Sequence, residues 1–184
     1  HQHKGDNKYV YRYPLVQYKI LDSKSTVLGI DIGAEILNEI YKRVNVIEMN
    51  GDKYEIFEKH IHFENANYGF NSEFIPYSLL TPWLALNEKN YEKYQKLGSW
   101  QKRKELLEKI LIGNIISMSK SLGYTVPEPI KADIKTIKEV PTSLKGTPML
   151  GFLGTFSVNF EIPDYWGIGK SVSRGFGTIK QVIE

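Results

Sequence analysis

Apolar and polar positions recur with a period of two in some segments of the chain and near 3.6 in others, and their order predicts the elements. Residues 9–20 (YVYRYPLVQYKI) are rich in β-branched and aromatic side chains and predict a strand, which Pro14 pushes toward a sheet edge. Asp22-Ser23-Lys24-Ser25 is turn chemistry, and residues 26–30 predict the return strand. Asp31 is the expected N-cap of a helix whose apolar positions are Ile36, Leu37, Ile40, Tyr41 and Val44. Residues 46–49, the turn Asn50-Gly51 and a strand over 53–63 predict a hairpin, because both turn positions need positive φ.

Residues 65–72 (NANYGFNS) predict a linker, and residues 73–86 (EFIPYSLLTPWLAL), apolar with two prolines, a strand followed by an irregular crossing. Asn87 should cap a short helix to Leu97. Ser99 should cap the longest helix, about residues 100–122, which Gly123 ends. Leu106, Leu107, Ile110, Leu111, Ile115, Met118 and Leu122 form its core stripe. Lys102, Arg103 and Lys104 crowd its first turns, the unfavourable end of the dipole for cations, so they await an outside anion or form a solvated face. Ile130, Ala132 and Ile134 alternate with charged residues and predict a half-exposed strand. Leu150, Phe152, Phe156, Val158, Phe160 and Ile162 share one phase of a long strand broken at Gly154, and residues 176–183 predict the last strand. The first half reads β-β-α-β-β and the second β-α-β-β-loop-β. The expected class is α+β, with tandem ferredoxin-like (RRM-like) domains at 1–66 and 67–184. The first lacks its opening strand and helix, and in the second a glycine-rich loop replaces one helix.

Of the 184 residues 41% are hydrophobic and 24% charged, which suits a folded domain. The absence of cysteine removes disulfides, zinc fingers, iron–sulfur ligation and thiol catalysis together. Glu108 and Lys109 interrupt the longest apolar run, and residues 1–8 carry no secretion signal, so no membrane association and a cytoplasmic location are expected. The net charge of +3 is unevenly spread. Residues 1–100 carry 12 basic and 13 acidic side chains; residues 101–184 carry 12 and 8. Between Trp166 and Ile183 stand Lys170, Arg174 and Lys180 with no acid, which suits an anionic partner or a solvated basic surface.

The acid-free run contains GIGKSVSRGFGTI, residues 167–179, with four glycines in eleven positions. So many glycines imply tight turns and close backbone approach. Backbone amides in such turns form anion nests, to which Lys170, Ser171, Ser173 and Arg174 add donors. A nucleotide P-loop does not fit, because Asp164 stands where its leading glycine belongs and no helix follows. Arg174-Gly175-Phe176-Gly177 opens like the RNA-recognition strand signature, but Thr178-Ile179 departs from its aromatic end. A glycine-rich hairpin joining two strands is the alternative.

A C-terminal loop with this pattern, matching at Gly167, Gly169, Gly175, Phe176 and Gly177, resembles that of the CRISPR-associated repeat-RNA endoribonucleases, members of the repeat-associated RNA-binding superfamily. Residues 13–19 (YPLVQYK) and 81–87 (TPWLALN) are similar to segments of one branch of that family, so the resemblance spans nearly the whole chain. It implies cleavage of the repeat in a CRISPR precursor transcript, without cofactor or metal, by 2′-OH attack, leaving a 2′,3′-cyclic phosphate and a 5′-OH. It also implies precursor crRNA as partner, other CRISPR effector subunits as further partners, and a monomer or homodimer. The alternative is a repeat-RNA-binding relative without catalysis; an unrelated small-molecule enzyme of the same fold is a third reading.

The reaction needs a base, an acid and cations at the phosphate, and with cysteine absent histidine is the expected proton carrier. The resemblance implies a catalytic histidine just before Tyr13-Pro14-Leu15, which is His3, or else His1. Gly167, Gly169, Lys170, Ser171, Ser173, Arg174, Gly175, Phe176 and Gly177 are the expected RNA-binding residues. His60 and His62, on the predicted strand, should share an outward face while Ile61 and Phe63 turn inward; exposed strand residues and half of a four-imidazole metal site are the two readings. Tyr9, Tyr11 and Tyr13 share one strand face, suited to base stacking or to a core or dimer contact.

Overall fold

A computed structural model describes residues 2–4, 8–10 and 12–183, and side chains over 12–183. In the N-terminal half β1 (Gln2–Lys4) pairs antiparallel with β2 (Lys8–Val10), setting His3 opposite Tyr9. The strand expected over 9–20 is therefore divided. Tyr13 and Pro14 lie between β2 and β3 (Val16–Leu21), because proline donates no ladder hydrogen bond. β3 returns through Asp22 and Ser23, both at positive φ, into β4 (Lys24–Gly29).

Helix α1 (Ile32–Arg43) follows, but the Asp31 side chain makes no cap hydrogen bond, since its backbone sits at φ 53° and turns the carboxylate away from the first amides. Ile36 and Ile40 are exposed, and Leu37, Tyr41 and Val44 only half-buried, so among the described residues the apolar positions of this helix are only partly covered. β5 (Val46–Met49) and β6 (Asp52–Glu55) form the hairpin through Asn50-Gly51. The strand expected over 53–63 stops at Glu55. His60 and His62 consequently lie in irregular chain, Ile61 and Phe63 are exposed instead of turned inward, and each imidazole faces a neighbouring carboxylate, Glu58 at 2.8 Å and Glu64 at 3.6 Å.

The C-terminal half comprises β7 (Gly69–Leu79), α2 (Glu88–Lys96), α3 (Trp100–Ser121), β8 (Ala132–Leu144), β9 (Thr147–Glu161) and β10 (Ile179–Gln181). The strands form one antiparallel sheet in the order β10-β7-β9-β8. With α3 crossing between the first and second strands, that is the ferredoxin-like arrangement. Asn87 and Ser99 cap α2 and α3 by accepting the amides of Asn90 and Lys102, as their short polar side chains predict.

The core lies between α3 and the sheet. Leu107, Leu111, Ile115 and Met118 are buried in one cluster with Tyr77, Trp83, Phe152, Phe156 and Phe160, each large apolar side chain worth roughly 1.5–3 kcal/mol. Gly154 takes φ 152° where the pairing with β8 shifts register, and a Cβ there would strike the Thr136 carbonyl oxygen. Of the three cations opening α3, two have partners inside the chain. Arg103 lies over the Tyr94 ring and 3.6 Å from Glu139, and Lys104 contacts Asp133 at 2.9 Å and Glu108 at 3.5 Å. Among the described residues no helix is long and apolar enough to cross a membrane.

Candidate nucleic-acid interface

Between β9 and β10 the chain makes no second helix; instead the glycine-rich loop folds back on the core. Ile168 and Val172 are buried and plug the loop into the molecule, while a short 3₁₀ turn, Val172–Arg174, lifts Lys170 and Arg174 to the surface. Gly177 sits at φ 64°, and a Cβ would fall on the Ile168 carbonyl oxygen, so the closing turn requires glycine.

Residues 81–84 form the floor. The Thr81 hydroxyl donates to the Gly175 carbonyl (2.6 Å) and accepts the Thr178 amide (2.9 Å). The Gly177 amide donates to Pro82 O and the Lys170 amide to Leu84 O. From the other side come Tyr13 and β3. The Tyr13 hydroxyl donates to Gly167 O at 2.7 Å, and the Gln17 carboxamide oxygen accepts the Gly167 amide at 3.1 Å. Burial drives the Tyr13 phenol well above its ordinary pKa, so it stays a donor. The three segments whose residues carried the family resemblance thus meet at one place.

The amides of Gly167, Gly175 and Gly177 are spent inside the protein, so these glycines shape the loop. The donors left exposed on the loop are Lys170 and Arg174, with Ser171 and Ser173 half-buried beside them and Phe176 half-buried behind.

A groove of about 500 Å³ runs along this loop. Its lining includes Lys170, Ser171, Ser173 and Arg174 from the loop, Arg12, Tyr13 and Pro14 from the N-terminal half, Asn114, Ser117 and Ser121 from α3, and Lys145 from the β8–β9 turn. Among the described residues four cations and no carboxylate line it, a lining whose potential is positive. Arg12 and Lys145 were not foreseen from the sequence. Lys145 stands in the two-residue turn Lys145-Gly146, both at positive φ, and nothing local in the sequence says where a hairpin tip points.

His1 lies outside the described residues, as does the side chain of His3, whose backbone is described in β1. Tyr9 and Tyr11 also fall outside the described side chains. Tyr13, alone of that trio described, turns its ring to Trp166 at 6.0 Å and its hydroxyl to the loop.

Comparison with known proteins agrees over both halves. The Cas6b N-terminal domain matches residues 1–67 and the Cas6b C-terminal domain residues 69–182. A solved structure of Cas6b is 42% identical, with a TM-score of 0.89 over 96% of this chain and 81% of that one. A second, titled as the CRISPR RNA processing endoribonuclease Cas6b, is 41% identical, with a TM-score of 0.81 over 93% of this chain and 83% of that one. An uncharacterized protein of Methanocaldococcus jannaschii is 42% identical over 148 residues, 80% of this chain and 100% of that protein. The domain matches cover both halves of the sequence, and this chain belongs to the Cas6b family of the CRISPR repeat-RNA endoribonucleases.

Proposed function

We propose that the protein binds and cuts CRISPR repeat RNA. The observation that carries this reading is the groove lined, among the described residues, by four cations and no carboxylate, built on the three segments that resemble the family. Its support from outside the molecule is the 41% identity to a CRISPR RNA processing endoribonuclease.

In the proposed reaction a histidine, His3 or else His1, takes the proton of the ribose 2′-hydroxyl. The 2′-oxygen bonds to the adjacent phosphorus, the bond from phosphorus to the 5′-oxygen breaks, and the departing oxygen is protonated by an acid. The products are a 2′,3′-cyclic phosphate and a 5′-hydroxyl. Proton transfer of this kind contributes typically 10²–10⁴-fold. Lys170, Ser173 and Arg174 balance the charge on the crowded phosphate, which preorganised donors stabilise more than water does. Gly167, Gly169, Gly175 and Gly177 hold these donors in place, with Ser171 and Phe176 completing the RNA surface.

The test is incubation with a cognate repeat RNA in EDTA, followed by end-group analysis of the fragments. Cleavage to cyclic-phosphate ends is expected. RNA that is bound but stays intact refutes catalysis and leaves the second reading, a repeat-RNA-binding protein, which the same groove supports. The proposed domains remain 1–66 and 67–184.

A further inference from the structure

Strand β3 is packed inside out. Its apolar Tyr18 and Ile20 are 63% and 72% exposed, whereas Gln17 and Lys19 are 0% and 3% exposed. A buried lysine is costly unless something uses its charge. The Lys19 ammonium donates to Gln17 Oε1 at 2.9 Å and to Thr178 Oγ1 at 3.0 Å, both neutral acceptors, and among the described residues it has no ion pair with a carboxylate. Those two acceptors are the residues that clasp the glycine-rich loop: Gln17 takes the Gly167 amide, and the Thr178 hydroxyl donates to Gly175 O at 3.0 Å. The positive charge therefore sits directly behind the loop whose outer surface lines the cationic groove.

We propose that Lys19 is a positioning residue for RNA binding, holding the glycine-rich loop through Gln17 and Thr178 and projecting an unneutralised positive charge through it onto the phosphate in the groove. This rests on the RNA-binding reading above.

Burial lowers the Lys19 pKa to about 8, with desolvation as the cause, so the charge is lost from the free protein in a mildly alkaline range. The elements around Lys19 are β4, the β3–β4 turn, the loop and β10. Their charged groups are Lys24, Asp22, Lys170, Arg174 and Lys180, and none of them pairs with Lys19; Tyr13 is the neighbouring phenol. A bound phosphate favours the ammonium and raises its pKa again, so affinity should fall as pH rises past the free protein's value.

The experiment measures the Kd of a fluorescein-labelled cognate repeat RNA, with a single 2′-deoxy sugar at the nucleotide preceding the scissile phosphate to prevent cleavage, between pH 7 and pH 9, for wild type, Lys19→Met and Lys19→Arg. Wild type should weaken by about tenfold across that range, as a pKa restored by roughly two units implies. Lys19→Met should bind about 100-fold more weakly at pH 7 and show no pH dependence, and Lys19→Arg, permanently charged, should bind without pH dependence and more tightly than Lys19→Met. Thermal melts establish that each variant is folded. Should Lys19→Arg not fold, the wild-type and Lys19→Met profiles still decide. Wild-type binding that is flat with pH, or a Lys19→Met profile parallel to wild type, overturns the role of Lys19 while leaving RNA binding intact. A wild type that fails to bind the RNA at any pH overturns the RNA-binding reading and this inference with it.

Discussion

The hydroxyl of Tyr13 donates to the carbonyl oxygen of Gly167 at 2.7 Å, joining the start of the described side chains to the loop that ends the ferredoxin-like unit. The contact closes one wall of the cationic groove, which both residues line. Tyr13→Phe keeps the ring against Trp166 and leaves the Gly167 oxygen without this donor. A loss of about 1 kcal/mol in urea unfolding is expected, with a few-fold weaker RNA binding.

Gly177→Ala should be far more damaging, although it adds one methyl group. The residue sits at φ 64°, and the new carbon would meet the Ile168 carbonyl oxygen. Left-handed backbone alone costs roughly 1–2 kcal/mol for a residue with a Cβ, and the clash adds to it. A lower melting temperature together with lost RNA binding is the expected outcome; an unchanged melt contradicts the loop geometry.

Lys170 and Arg174 face the groove on the loop's exposed side. Lys170→Gln and Arg174→Gln should each lower the slope of log affinity against log salt by about 1, since each would remove one phosphate contact of the proposed complex. Stability should stay within about 0.5 kcal/mol, because neither side chain is buried. Filter binding at several salt concentrations measures both slopes.

His3→Ala should reduce cleavage at least about 100-fold while leaving RNA affinity nearly unchanged, the pattern of a group needed for proton transfer. Gel assays of cleavage with parallel binding curves separate the two effects. Cleavage at the wild-type rate removes His3 from the mechanism.

Lys19 and the tyrosines pull stability in opposite directions with pH. For Lys19 the folded pKa, about 8, lies below the ordinary value of 10.5, so the unfolded chain holds the extra proton and stability rises with pH between them. Burial raises Tyr77 to about 12 from 10.0, so the unfolded phenol ionises first and stability declines with pH above 10. Lys19→Met should therefore be more stable than wild type at pH 7, by an amount on the order of 3 kcal/mol at most, and the gap should close toward pH 10. Urea unfolding of both proteins at pH 7, 8.5 and 10 measures the gap.

Much of the C-terminal unit was legible in the sequence because its signals are local. Asn87 and Ser99 are the caps they promise to be, Gly123 ends α3, and the stripe of Leu107, Leu111, Ile115 and Met118 faces the sheet. The N-terminal half carries weaker local signals. Ile61 and Phe63 look like strand interior, yet no neighbouring strand pairs with them among the described residues and both are exposed. Pairing is a property of two segments, and one segment's composition does not supply the second.

By itself the amino-acid sequence determined the α+β order, the helix boundaries, and a glycine-rich, acid-free loop suited to an anion, since these depend on propensity, capping and charge within a few residues. Tertiary structure alone decided that residues 13–19, residues 81–84 and the loop converge, that Arg12 and Lys145 join its cations, and that β3 turns Lys19 inward and Ile20 out. An alternating strand offers two faces, and which one is buried depends on what the rest of the chain packs against it. Here that partner is the polar underside of a loop about 150 residues further along, where the Thr178 hydroxyl accepts from Lys19 and the Gly167 amide donates to Gln17.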